Sequence, residues 1–282
     1  MILKLLLGIV LLGLLGCSRL FISDSTISQR NIAQAKSVEE ILKKDKYSQR
    51  YSALEHEAFH QALSADKRHL FALALKDNIL YIRITLFDKN ILKRLKDSIE
   101  KYPHTQGIII DLRNNPGGVL KMGIACSNLF ITKGVLLHTQ GKLAKDTKDY
   151  FADKSSLTTA PIVILINKHT ISASEIFAGI LQEKHRALLV GEQSFGKGSI
   201  QEMVEIEENS YLKFTVATYT FANAQSIEGI GLTPDVSIQE GKISKFSRAI
   251  TLKQKKELKA IVSKKADLFL LLGQKILSFH SL

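Results

Sequence analysis

Three short segments are apolar at nearly every position: "GIIIDL" from Gly107, "PIVILIN" from Pro161 and "ALLVG" from Ala187. A strand without a polar face must be covered on both sides, as parallel strands are when helices flank the sheet. The segments between them supply the helices. "KNILKRLKDSIEKY" (89–102) repeats its apolar residues every three or four positions, and "VLKMGIACSNLF" (119–130) and "SEIFAGILQEKH" (174–185) read likewise. "ILYIRITLF", from Ile79, alternates as a strand, as do "GVLLHT" and the longer "YLKFTVATYTF" (211–221). Strand and helix alternate from Asn78 onward, which predicts an α/β core. With 282 residues, 45% of them hydrophobic, the chain can bury one sizeable core.

The flanks read differently. Between Gly16 and Gly107 there is no glycine, and the first proline is Pro103, so turn signals are missing. Ser37 and Glu40 form a capping-box pattern, and "YSALEHEAFHQALSADKRHLFALAL" keeps helical spacing. Residues 17–75 therefore read as a linker followed by helices, residues 76–240 as the core, and 241–282 as a basic helical tail with two amphipathic helices. The formal net charge is +12, but the lysines are spread out. The runs at 43–46 and 253–265 read as solvated helix faces, without the interleaved aromatics of a nucleic-acid groove.

The chain opens "MILKLLLGIVLLGLLGCSRL". One lysine precedes an apolar run too short to span a bilayer, which needs ~20 residues. The run fits the apolar core of a secretory signal. "LLGC" resembles a bacterial lipobox, so residues 1–16 are expected to be a lipoprotein signal peptide and Cys17 the lipidated residue. A cleaved signal without lipid, or an uncleaved anchor, is the alternative. Cys126 is then the remaining cysteine, so no intrachain disulfide is expected, and its apolar surroundings mark it as a buried core residue.

Ser172 opens the helix "SASEIFAGIL", and Glu175 completes a capping box with it. Ser172 is therefore an N-cap candidate. The same position suits a nucleophile, because free amides and the positive end of the helix dipole would stabilise an oxyanion formed beside it. A serine nucleophile needs a base. His169 is near in sequence but sits in a strand-end loop beside a charge. Lys197, in "SFGKGS", is the better candidate: glycines let its loop bend tightly, Phe195 offers apolar cover, and no carboxylate lies in the loop. Gln201 can orient the lysine. "NNPGG" (114–118) offers the amides of Gly117 and Gly118 to an oxyanion, unless it is an ordinary strand-to-helix turn.

At these residues the chain resembles the C-terminal processing peptidases, or tail-specific proteases. "GIIIDLRNNPGG", "PIVILINKHTISASEIFAGILQEKHRALLVGEQSFGKGSIQ" and "SIEGIGLTPDVSI" appear in the family's order from Asn78 to Ile238. The resemblance implies a ClpP/crotonase-like α/β core and a serine-type endopeptidase. In it Ser172 is the nucleophile, Lys197 the base, Gln201 its assistant, and Ala173 and Gly118 the oxyanion donors. It implies no metal and no cofactor. Protein or peptide substrates are the expected partners, with a membrane reached through the lipid anchor on the periplasmic side of a bacterial envelope. An adaptor or a homo-oligomer is left open, and nucleic acid is not expected. Two departures stand out. Thr170-Ile171 replaces the usual Ser-Ala before the nucleophile. The stretch from Cys17 to Asn78 also lacks the glycine that a PDZ carboxylate-binding loop requires, so a variant without PDZ is expected. A non-catalytic peptide-binding or scaffolding lipoprotein on the same fold is the competing reading.

Other motifs compete. "HEAFH" (56–60) matches the H-E-x-x-H zinc pattern. Its third ligand is left open, because His69 lies nine residues past His60 without the glycine turn of the large zinc-protease class. "SADK" (64–67) fits S-x-x-K without its partner motifs. "GEQSFGKGS" is no P-loop, since Gly198 stands where Ser or Thr should hold Mg²⁺.

Overall fold

A computed structural model describes residues 49–52, 69–153, 155–207, 210–261 and 267–279. The chain divides into two compact units. The larger comprises Ala62–Gly198 and Tyr219–Leu282, the smaller Met1–Gln61 and Ser199–Thr218.

The larger unit is built on seven strands: β2 (Leu70–Ala74), β3 (Ile79–Ile84), β4 (Gly107–Asp111), β7 (Ile162–Ile166), β8 (Ala187–Gly191), β11 (Val236–Gln239) and β12 (Lys242–Phe246). They lie in the order β12-β11-β8-β7-β4-β3-β2. The five central strands are parallel, and β2 and β12 close the edges antiparallel. Ile82, Ile110, Ile164 and Leu189 form one row across the sheet, each with no exposed surface. Each such side chain contributes ~1.5–3 kcal/mol over an exposed one, which explains why this row across the sheet is wholly aliphatic. The antiparallel hairpin β5 (Val135–Gly141) and β6 (Lys148–Phe151) completes this unit's strands.

Helices α1 (Ile91–Glu100), α2 (Leu120–Asn128) and α3 (Ala173–Glu183) follow β3, β4 and β7. Because β3, β4, β7 and β8 advance in one direction, right-handed crossovers put all three on one face. Ile91, Leu95 and Ile99 form the buried stripe of α1. Phe177 of α3 packs between Phe87 and Phe130, with ring centroids 5.6 and 6.1 Å away. The other face is covered by α4 (Leu252–Lys259) and α5 (Leu268–Ser278), whose Leu258, Leu272 and Ile276 join Ile109, Val163 and Leu165. Arg113 pins α5 by donating to buried Asp111 (2.6 Å) and to the N-cap Asp267 (2.8 Å).

The smaller unit contributes β1 (Gln49–Ser52), β9 (Ser199–Glu207) and most of β10 (Ser210–Phe221), with β1 and β9 antiparallel to β10.

Two expectations need correction. Strands β1 and β2 stand inside 17–75, where helices were expected. Leu and Ala give "LFALA" a helical propensity, but β2 satisfies the open edge of β3 over its whole length, from Leu70↔Ile84 to Ala74↔Leu80. In the tail, β12 extends the sheet past residue 240. Of the two tail helices only α4 is basic; α5 is apolar because it roofs the core. Cys17, the capping box at 37–40, "HEAFH" and "SADK" lie outside the described residues.

Candidate active site

Three loops meet beyond the C-terminal ends of β4, β7 and β8, the end of a parallel sheet where α/β proteins place their sites. Residues 112–119 follow β4, 167–172 follow β7 and 192–198 follow β8. Fully buried Asn115 joins the first two. Its Nδ2 donates to Ile84 O (2.9 Å), its Oδ1 accepts from Gly117 N (2.9 Å), and its carbonyl accepts from Ile171 N (2.9 Å) and Ser174 Oγ (2.9 Å). Asn114 and Asn167 bond each other through backbone and side chain. Thr170 Oγ1 donates to Leu112 O (2.9 Å).

Ser172 is the N-cap of α3, with φ 60° and ψ −119°. That backbone is strained for any residue but glycine and persists only where its surroundings over-determine it. Here they do: its neighbour Ile171 is held by Asn115, and its own N–H donates to Glu175 Oε2 at 2.8 Å. Gly117 packs directly on it. A Cβ at Gly117, where φ is 100°, would fall 2.6 Å from Ile171 O and 2.9 Å from both Ser172 Cβ and Ala173 N. Gly118, at φ 131°, forms a parallel bridge with Phe87, and a Cβ there would fall 2.4 Å from Phe87 O. The sequence "PGG" is thus required by close approach on both sides. Among the described residues the N–H groups of Ala173 and Gly118 have no partner.

Glu175 is wholly buried, and its carboxylate accepts four hydrogen bonds. Oε2 takes Ser172 N (2.8 Å) and Lys197 N (3.0 Å); Oε1 takes Ser194 Oγ (2.6 Å) and Gly196 N (2.7 Å). One carboxylate thus joins the backbone of the candidate nucleophile to that of the candidate base. The lysine loop is held elsewhere too: Phe195 N donates to Thr170 O (3.1 Å), Gly198 N to Glu228 Oε2 (2.8 Å) and Tyr219 Oη to Lys197 O (3.0 Å). Burial, and secondarily the charges of Glu175 and Glu228, push the Tyr219 phenol well above its ordinary value, so it stays a donor. Lys197 itself is half-buried.

A sequence profile of peptidase family S41 matches residues 78–238. The chain belongs to family S41. The carboxy-terminal-processing protease of Bartonella bacilliformis is 39% identical over 173 residues, 59% of this chain and 40% of that protein. The carboxy-terminal processing protease CtpA of Bacillus subtilis is 38% identical over 169 residues, 58% of this chain and 36% of that protein. Among solved structures, a photosystem II D1 C-terminal processing protease superposes with a TM-score of 0.52 at 25% identity, covering 78% of this chain and 52% of its own. The chain thus spans well under half the length of the two curated relatives.

Within the S41 core, Ser172, Ala173 and Gly118 stand together through Gly117, and the main-chain N–H of Lys197 is tied to that of Ser172 through Glu175. Gln201 lies on β9 in the smaller unit, opposite Thr215. His169 is exposed, and its N–H donates to Asn167. The sequence reading took Glu175 as half of a helix cap. It missed the same carboxylate as the tie to the lysine loop, and it missed Asn115 and Glu228 altogether. The absence of acidic residues within "SFGKGSIQ" was no guide to its surroundings, because both carboxylates arrive from other segments.

Proposed function

We propose that this chain is a serine endopeptidase that hydrolyses protein substrates with Ser172 as nucleophile and Lys197 as general base. Lys197 Nζ, in its neutral form, takes the Ser172 Oγ proton as the oxygen attacks the peptide carbonyl. The oxyanion accepts hydrogen bonds from Ala173 N–H and Gly118 N–H, which are pre-oriented and cost no reorganisation during the step. Collapse expels the amine, which takes the proton back from Lys197. Water, activated by the same amine, then hydrolyses the acyl-enzyme and regenerates the serine. In this reading Gln201 steadies the lysine, as its place in the family motif implies.

The observation that carries the proposal is the Glu175 carboxylate, bonded to the amides of both Ser172 and Lys197. Strain at Ser172 supports it too, because strained backbone clusters where a side chain must be aimed. The test is hydrolysis of fluorescently labelled casein by the full chain. Ser172→Ala and Lys197→Ala should each lose on the order of 10³-fold or more in rate while unfolding at the parent's temperature. Parent-level activity in either variant would sink the dyad.

We further propose that Cys17 carries a lipid that holds the enzyme on the periplasmic side of an envelope membrane. Cys17→Ala should move the chain from the membrane fraction to the soluble fraction. Unchanged partitioning would count against the anchor.

A further inference from the structure

A cleft of about 370 Å³ lies at the other end of the parallel sheet. It borders Ile162 and Ala187, the first residues of β7 and β8, whereas Ser172 and Lys197 lie beyond their last residues. Five residues of strand, roughly 16 Å, separate the two places. The size is typical of small-molecule sites, which run ~300–1,000 Å³. Val163, Leu188, Ile276 and Leu277 supply apolar wall.

The cation in this cleft is Arg186. Helix α3 ends in a Schellman turn, with His185 N donating to Gln182 O (2.9 Å) and Arg186 N to Leu181 O (2.8 Å). That turn delivers Arg186 to the cleft at the start of β8. Its Nη2 donates to Thr158 O and Ala160 O, each at 2.8 Å. Its Nε and Nη1 have no partner among the described residues, and no carboxylate there forms an ion pair with it. Asp235 also lines the cleft, but it is already engaged. Its Oδ2 accepts from Gln182 Nε2 (3.2 Å) and Leu189 N (2.9 Å), and its Oδ1 from Ser247 Oγ (2.7 Å). Burial pushes the guanidinium below its ordinary value, and no anion pushes it back. A half-buried cation left without a counter-charge is costly, and the planar guanidinium fork matches a carboxylate.

We propose that this cleft binds an amphipathic carboxylate, its charged end on Arg186 and its apolar end against Val163, Leu188 and Ile276–Leu277. The carboxylate belongs either to a free short-chain organic acid or to the end of a peptide with an apolar last residue. The site is independent of the Ser172–Lys197 chemistry and stands or falls without it.

Calorimetric titration of the full chain with hexanoate and with hexanamide tests the proposal. Hexanoate should bind, and the amide should bind about tenfold more weakly or worse, the loss expected of a charge-assisted contact. Arg186→Lys keeps the charge but loses the fork. Ala249→Glu, at an exposed position lining the cleft, adds a like charge without disturbing the core. Each should weaken hexanoate about tenfold, with Ala249→Glu unfolding at the parent's temperature. N-acetyl-Val-Leu with a free carboxylate distinguishes the sources: tighter binding than hexanoate assigns the site to chain ends, weaker binding to free acids. Equal affinity for acid and amide overturns the proposal. So does no binding at about 10 mM, or full affinity in Ala249→Glu.

Discussion

The two ends of the parallel sheet handle a charged group in opposite ways. Beyond the last residues of β7 and β8, Glu175 is wholly buried, and each of its oxygens receives two donors. Before the first residues of the same strands, Arg186 is half-buried, and one of its nitrogens meets two carbonyls. A satisfied charge fixes geometry, since removing it orphans everything it held. An unsatisfied charge fixes little and leaves bonding capacity for something else. The difference separates a place that must hold its shape from one that can accept a guest.

The sharpest way to break the comparison is Glu175→Ala. It leaves four donors without an acceptor, and loss of about 3–5 kcal/mol of stability is expected. Denaturant unfolding measures it, and a loss like that of a surface substitution would remove the special standing of this carboxylate. Ser172→Gly should act in the opposite direction. Relief of the φ 60° strain should stabilise the fold by about 1 kcal/mol while abolishing hydrolysis. Ser172→Ala, which keeps the strain, should show no such gain. At the other end His185, with φ 53°, stands where a Schellman turn favours glycine, so His185→Gly should gain ~0.5 kcal/mol in thermal unfolding.

The smallest effect concerns Asp267. Burial alone would raise its carboxyl, but Arg113 holds it below the ordinary 3.8. A depressed carboxylate contributes stability above its unfolded value and loses it as pH falls through the folded value. The contribution should therefore be full at pH 5 and fade below about pH 4. Because Asp267 is 40% exposed, a few tenths of a kcal/mol is the expected size, and Asp267→Asn should flatten that part of the stability–pH curve.

Much of the fold could be read from the chain, for identifiable reasons. β4, β7 and β8 are covered on both faces, so apart from Asp111 at the end of β4 no polar residue interrupts their apolar runs. α1 shows its core stripe directly as Ile91, Leu95 and Ile99. The edges were harder. β2 and β12 are strands because a neighbour's open edge requires pairing, and that demand is not written in their own residues. The site divides the same way. Ser172, Lys197 and the "PGG" glycines are the candidates that motif spacing singles out. Glu175 looks complete as a helix cap, and its second role depends on a loop about twenty residues away folding back onto it. Asn115 and Glu228 are similarly silent, because a carbonyl or carboxylate that meets distant amides leaves no local pattern.

Helix α5 roofs the sheet over Ile109, Val163 and Leu165, and its first residue-pair partner, Arg113, stands at the mouth of the "NNPGG" loop. In the order of synthesis it emerges after every strand it covers. A folding chain therefore carries a bare, oily underside over Ile109, Val163 and Leu165 until residues 268–278 dock on it.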